Sequence, residues 1–136
     1  MTPDIATRFP ENGWIAEWLT QLAQKPHRYA IGLMSGTSMD GVDGALVRLS
    51  GKGSARQVET LATHHLPYTS DERTALDRLL RQPDLETLVA WDAYLGERFA
   101  ECAQALIQQA PEVDFIGSHG QTLWHAPSAT VQGRSV

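Results

Sequence analysis

An α/β fold is predicted, because three short strand-like runs precede two stretches of helical period and a last apolar run. The order is strand, strand, strand, helix, helix, strand, with one amphipathic helix in front. A hydrophobic content of 42% beside 20% charged residues is globular composition and calls for a buried core.

The leading helix starts after Asn12, where Trp14, Ile15, Trp18, Leu19 and Leu22 form a single apolar stripe that needs something to pack against. Pro26 ends it. Tyr29-Ala30-Ile31-Gly32-Leu33-Met34 is the first strand, and Asp43 to Leu49 the second, with Ala45, Val47 and Leu49 on one face and Leu46 and Arg48 on the other. After a polar turn, Ser50-Gly51-Lys52-Gly53-Ser54, the stretch Gln57 to Leu66 supplies a third antiparallel strand. Its neighbouring pair His64-His65 is read as one inward and one outward side chain.

Thr69 and Glu72 stand in capping-box relation at the start of a helix through Arg81, with Leu76, Leu79 and Leu80 on its buried side. A longer helix runs from Asp84 to Gln109 on the stripe Leu85, Leu88, Val89, Leu95, Phe99, Cys102, Ala103 and Leu106. Asp92 falls on that stripe, and a structural acid bonded to a neighbouring turn is the favoured reading. Pro111 breaks the helix, and Val113 to Gly117 forms the fourth strand.

Composition removes several function classes. A formal charge of −5 opposes wide contact with nucleic acid, which needs clustered Lys and Arg. The single cysteine, Cys102, allows no internal disulfide and suits core packing. No run approaches the length of a membrane span, and the acidic start lacks the features of a secretory leader, so a cytoplasmic protein is expected.

Two segments could carry chemistry. Ser35-Gly36-Thr37-Ser38-Met39-Asp40-Gly41-Val42 packs two glycines, three hydroxyls and a carboxylate between two strands. Glycine lets consecutive N–H groups approach phosphate oxygens, and Asp40 would attract phosphate only through a magnesium ion. Ordinary turn chemistry explains the same residues equally well. A Walker loop is excluded because no lysine lies between Lys25 and Lys52. A dinucleotide fingerprint fails because a strand follows, and a nucleophile elbow fails because Asp40 takes its last position. The second segment, Gly117-Ser118-His119-Gly120-Gln121-Thr122-Leu123-Trp124-His125, is placed on a loop after the fourth strand, where His119 and Gln121 can bond a sugar hydroxyl. Trp124 is more readily core than a pyranose platform.

The run Ile31-Gly32-Leu33-Met34-Ser35-Gly36-Thr37-Ser38-Met39-Asp40-Gly41-Val42-Asp43 resembles the signature of the anhydro-N-acetylmuramic acid kinase family. Leu95-Gly96-Glu97-Arg98-Phe99-Ala100 and Asp114-Phe115-Ile116-Gly117-Ser118-His119-Gly120-Gln121-Thr122 are similar to family segments in the same order. The resemblance spans about Tyr29 to Pro127 and implies the ribonuclease H-like mixed sheet of the sugar kinase, heat-shock ATPase and actin superfamily. Residues 1–27 are then an extension with the short helix, and 28–136 the N-terminal part of an incomplete first lobe, with no second lobe.

The resemblance also implies a kinase that uses ATP and magnesium to open the 1,6-anhydro ring with water and phosphorylate the sugar to N-acetylmuramic acid 6-phosphate, in peptidoglycan recycling. Gly36, Thr37, Ser38, Met39, Asp40, Gly41, Val42 and Asp43 would bind ATP, with Asp40 linked to Mg2+. Ser118, His119 and Gln121 would face anhydro-N-acetylmuramic acid, and the catalytic aspartate is expected beyond Val136. The ending Gly133-Arg134-Ser135-Val136 leaves the family's run, as in a truncated or frame-altered product. The alternative is an inactive remnant that only binds nucleotide or sugar. A hydrolase built on Ser38 or Ser118 with His119 ranks last, for want of an acid partner. Oligomeric state stays open, with a homodimer permitted.

Overall fold

The computed structural model describes residues 13–110 and 112–123, together with the backbone of 130–131 and 134–135. The helix α1 (Trp14–Gln24) leads into β1 (His27–Ser35), β2 (Gly41–Ser50) and β3 (Gln57–Pro67). Helices α2 (Ser70–Arg81) and α3 (Leu85–Ile107) follow, then β4 (Phe115–Gln121) and the short pair β5 (Thr130–Val131) and β6 (Arg134–Ser135). Trp124 and His125 lie outside the described residues.

The main sheet has the order β3-β2-β1-β4. β1 and β2 pair antiparallel from His27↔Ser50 to Met34↔Asp43, β2 and β3 antiparallel from Gly41↔Pro67, and β1 and β4 parallel from Ala30↔Phe115. A parallel pair needs a crossover, and α2 with α3 supplies it. Strand alternation sends Ile31, Leu33, Val42 and Leu46 to one face, where Phe99, Cys102, Ala103 and Leu106 of α3 bury them. That packing leaves no room above Gly44, where a Cβ would stand 2.7 Å from Leu106 Cδ1 and 2.9 Å from Cys102 Sγ. Burial raises the Cys102 thiol pKa, so it sits in the core as a neutral apolar group.

The starts of α2 and α3 carry side-chain caps. The Thr69 hydroxyl accepts the Glu72 N–H at 3.2 Å while Glu72 Oε2 accepts the Thr69 N–H at 2.5 Å, and Asp84 Oδ1 accepts from Thr87 N at 2.8 Å. Glu72 also joins α2 to α3, accepting from Tyr94 Oη at 2.5 Å with Arg98 Nε 3.2 Å away. Burial pushes the Glu72 carboxyl up, but Tyr94, Thr69 and Arg98 together hold it below the usual carboxylate range.

Several expectations need correction. Leu80, assigned to a buried face, is exposed, and so are Leu85, Leu88 and Val89 in the first turns of α3. α1 forms, yet none of its residues is buried. Lys25 at its end holds Glu112 and Asp114, and Asp114 Oδ2 accepts from Tyr29 N at 2.8 Å, tying α1 to the starts of β1 and β4. Asp92 is exposed and bonds to no turn among the described residues. The fourth strand runs on through Ser118, His119, Gly120 and Gln121 rather than ending at Gly117, because pairing with β1 continues to Ser35↔Gln121 across an irregularity. Gly120 absorbs that irregularity with φ +78°, a conformation that favours glycine.

Candidate phosphate site

Residues 36–40 form the loop of the β1–β2 hairpin. Met39 N donates to Gly36 O at 3.2 Å and closes a turn, while Met39 adopts φ +48° with its side chain packed on the core. Gly41 leaves the turn where no side chain fits, since a Cβ would lie 2.4 Å from Leu66 O and 2.8 Å from Pro67 Cα. At the rim, the backbone N–H groups of Thr37 and Ser38 donate to no other described residue and both residues are exposed. Such free N–H groups on a sharp turn suit an anion.

Ser38 Oγ donates to Asp40 Oδ1 at 2.8 Å. That hydrogen bond, then Asp40's own N–H and the charges of His65 and Arg73, holds the Asp40 carboxyl below its ordinary value, so it is ionised at neutral pH. One exposed carboxylate beside an anion site is how magnesium is commonly held, with waters and phosphate oxygens completing the shell. Asp43 is likewise exposed, on β2, where its Oδ1 is 2.8 Å from His65 Nδ1. Val42 is fully buried, so its contribution to a ligand is limited to backbone.

The sequence reading missed Arg73. It lines a groove of 480 Å³ with Ser38, Met39, Ser70, Thr74 and Asp77, beside the loop. The sequence carried the capping box at Thr69 but not this placement, which comes from the Gly41↔Pro67 pairing that sets the end of β3 against the loop.

Beneath the loop lies a polar cluster. Ser35 is buried, its Oγ 2.6 Å from Gly41 O and 2.8 Å from Gln121 Oε1. Gln121 Nε2 donates to Gly36 O at 2.9 Å and to Thr122 O at 3.1 Å, and Tyr68 Oη donates to Gln121 Oε1 at 3.2 Å. Burial holds the Tyr68 phenol above its usual pKa and keeps it a donor. Backbone bonds from Tyr68 N to Asp40 O and from Thr122 N to Ser35 O, both 2.9 Å, run alongside.

The three residues expected on the sugar side do not converge. Ser118 and Gln121 border a cleft of 260 Å³ against Trp91, Asp92, Leu95 and Phe99 of α3, whereas His119 lies on the opposite sheet face near Met34, Asp43 and His65. Alternation puts Ser118 and His119 on opposite faces, and the irregularity at Gly120 returns Gln121 to the Ser118 side. Ser118 Oγ accepts from Gly120 N at 3.2 Å.

The sequence profile of the family described as anhydro-N-acetylmuramic acid kinase matches residues 28–134. The chain belongs to the anhydro-N-acetylmuramic acid kinase family. Among relatives bearing that name, the protein of Caldanaerobacter subterraneus is 38% identical over 116 residues, covering 81% of this chain and 29% of the relative. The Cyanothece protein is 43% identical over 101 residues, 73% of this chain and 27% of its own length. For Gloeobacter violaceus the figures are 42% over 106 residues, 74% and 28%. This chain therefore spans under a third of the length of these kinases, and α1 lies outside the profile match. Its α/β architecture and mixed sheet are those of a first lobe in the sugar kinase, heat-shock ATPase and actin superfamily, as the resemblance implied.

Proposed function

We propose that this chain is the N-terminal portion of an ATP-dependent kinase that opens the anhydro ring of anhydro-N-acetylmuramic acid and phosphorylates the sugar to N-acetylmuramic acid 6-phosphate, and that the hairpin loop Gly36–Gly41 binds the nucleotide phosphates. The observation that carries this is the turn itself, with unengaged N–H groups at Thr37 and Ser38 beside an ionised Asp40. Phosphoryl transfer depends chiefly on positioning and on neutralising charge. Thr37 and Ser38 would supply N–H and hydroxyl donors, and Arg73 a cation at the rim. Asp40 would hold Mg2+ through its free carboxylate oxygen; the ion supplies charge neutralisation between nucleotide and protein. Ser118, with the cleft against α3, is the better-placed sugar contact, since Gln121 is already engaged and His119 faces away. The water-activating aspartate is assigned to the part of these kinases that residues 1–136 do not span, and the cytoplasm is the assigned compartment.

Calorimetric titration of the chain with ATP and magnesium tests the loop. Magnesium-dependent binding is expected, weakened at least tenfold by Asp40→Ala; equal binding by that variant would remove Asp40 from the site. Within the 136 residues alone we favour binding without turnover. Sugar phosphate formed by this chain from ATP, magnesium and anhydro-N-acetylmuramic acid would refute that.

A further inference from the structure

We propose that Gln121 is a positioning residue that shapes the nucleotide loop from below, rather than a contact for the sugar. This rests on the reading of Gly36–Gly41 as the phosphate loop. A glutamine amide offers two donor hydrogens and one acceptor oxygen, and all are committed. Its Nε2 faces two carbonyls, Gly36 O at 2.9 Å and Thr122 O at 3.1 Å, which fixes the orientation of the amide because the reverse would set oxygen against oxygen. Its Oε1 faces two hydroxyls, those of Ser35 and Tyr68.

Those partners span the whole neck of the loop. Gly36 is where the chain leaves β1, and Ser35 reaches across to Gly41 O, where it enters β2. The Ser35 hydroxyl has a single proton and two acceptors in reach, Gly41 O and Gln121 Oε1. The Tyr68 hydroxyl compensates by donating to Gln121, and its backbone N–H holds Asp40 O. One side chain on β4 thus fixes the carbonyl at the entry of the turn, and the Ser35 hydroxyl beside it holds that at its exit. With those carbonyls drawn inward, the N–H groups of Thr37 and Ser38 are left at the exposed rim. A part-buried network of this kind rigidifies what it holds.

Amide hydrogen exchange on the 136-residue chain tests the proposal, with Gln121→Met as the variant that keeps length and apolar packing but removes both donors. The Met39 amide, bonded to Gly36 O, is expected to exchange at least tenfold faster, while Leu46 in the β1–β2–β3 ladder keeps its rate within twofold. Magnesium-ATP affinity should fall at least tenfold in parallel. Met39 exchange within twofold of the parent, acceleration spread evenly over the sheet, or unchanged affinity in a chain that binds would each overturn the positioning role. If Gln121→Met does not fold, Tyr68→Phe, which removes one hydroxyl, gives the same comparison with at least a threefold change expected at Met39. A parent chain that binds no nucleotide would count against the proposed function; the exchange comparison would still decide whether Gln121 holds the loop.

Discussion

Gly41 is the position in the loop least able to change. An added methyl group would press on backbone atoms of β3 at 2.4 and 2.8 Å, and backbone cannot swing aside as a side-chain tip can. Gly41→Ala should cost at least ~2 kcal/mol, at the level of an overpacked core, read as a lower urea midpoint. Gly44→Ala meets side-chain tips instead, Leu106 Cδ1 and Cys102 Sγ, so ~1–2 kcal/mol is expected by the same measurement. The place of the loop was legible in the sequence: Gly36, Thr37, Ser38 and Asp40 lie in the turn between the first two strands, as expected. Gln121 was not legible as a partner of that turn. Its chemistry suits a sugar hydroxyl as well as a buried carbonyl, and only the fold brings it to Gly36, 85 positions away. Asp92 was misread as well: it lies exposed beside the cleft between α3 and β4.

At the level of elements, α2 was readable from four residues. Thr69 and Glu72 make the reciprocal bonds that the spacing predicts, and Thr69→Ala should lower stability by about 1 kcal/mol. Glu72 adds a pH dependence. Its carboxyl is depressed in the folded chain, so its stabilising effect is complete above the unfolded carboxylate pKa and is lost as pH falls through the lower, folded value. Stability should therefore decline below about pH 4.5 more steeply in the parent than in Glu72→Gln, in urea midpoints taken along an acid series. β4 was the element least readable from sequence. Gly117 and Gly120 argue for a loop when taken locally, but the β1 edge offers backbone partners that draw the strand on to Gln121. That extension places Ser118 and His119 on opposite faces, which no loop reading could anticipate.

For the molecule as a whole, α3 covers one face of the sheet, while on the other Met34 is 46% exposed, and on the β4 edge strand Ile116 is 47% exposed. Ile15, Trp18 and Leu19 of α1 add 53%, 40% and 51% exposure on a single helix stripe. Apolar surface of this extent favours association. Sedimentation velocity should show a weight-average mass rising with concentration, reduced by the double change Trp18→Glu and Leu19→Lys; a monomer at every concentration would contradict this. Fold class, the order of elements along the chain and the family were open to sequence reading because they rest on local periodicity and contiguous motifs. The distribution of site residues over two faces was not, since it depends on register between strands far apart in the chain.

The bond between Gln121 and Gly36 has a consequence for synthesis. A ribosome makes the turn early, yet the side chain that braces it comes 85 residues later, roughly 4 to 17 s at bacterial translation speeds of about 5–20 residues per second. In that interval β1 and β2 can form a hairpin, but β4 has not been made and the turn lacks its brace. On the proposed reading of the loop, nucleotide affinity would arise only when the fourth strand docks on the growing chain.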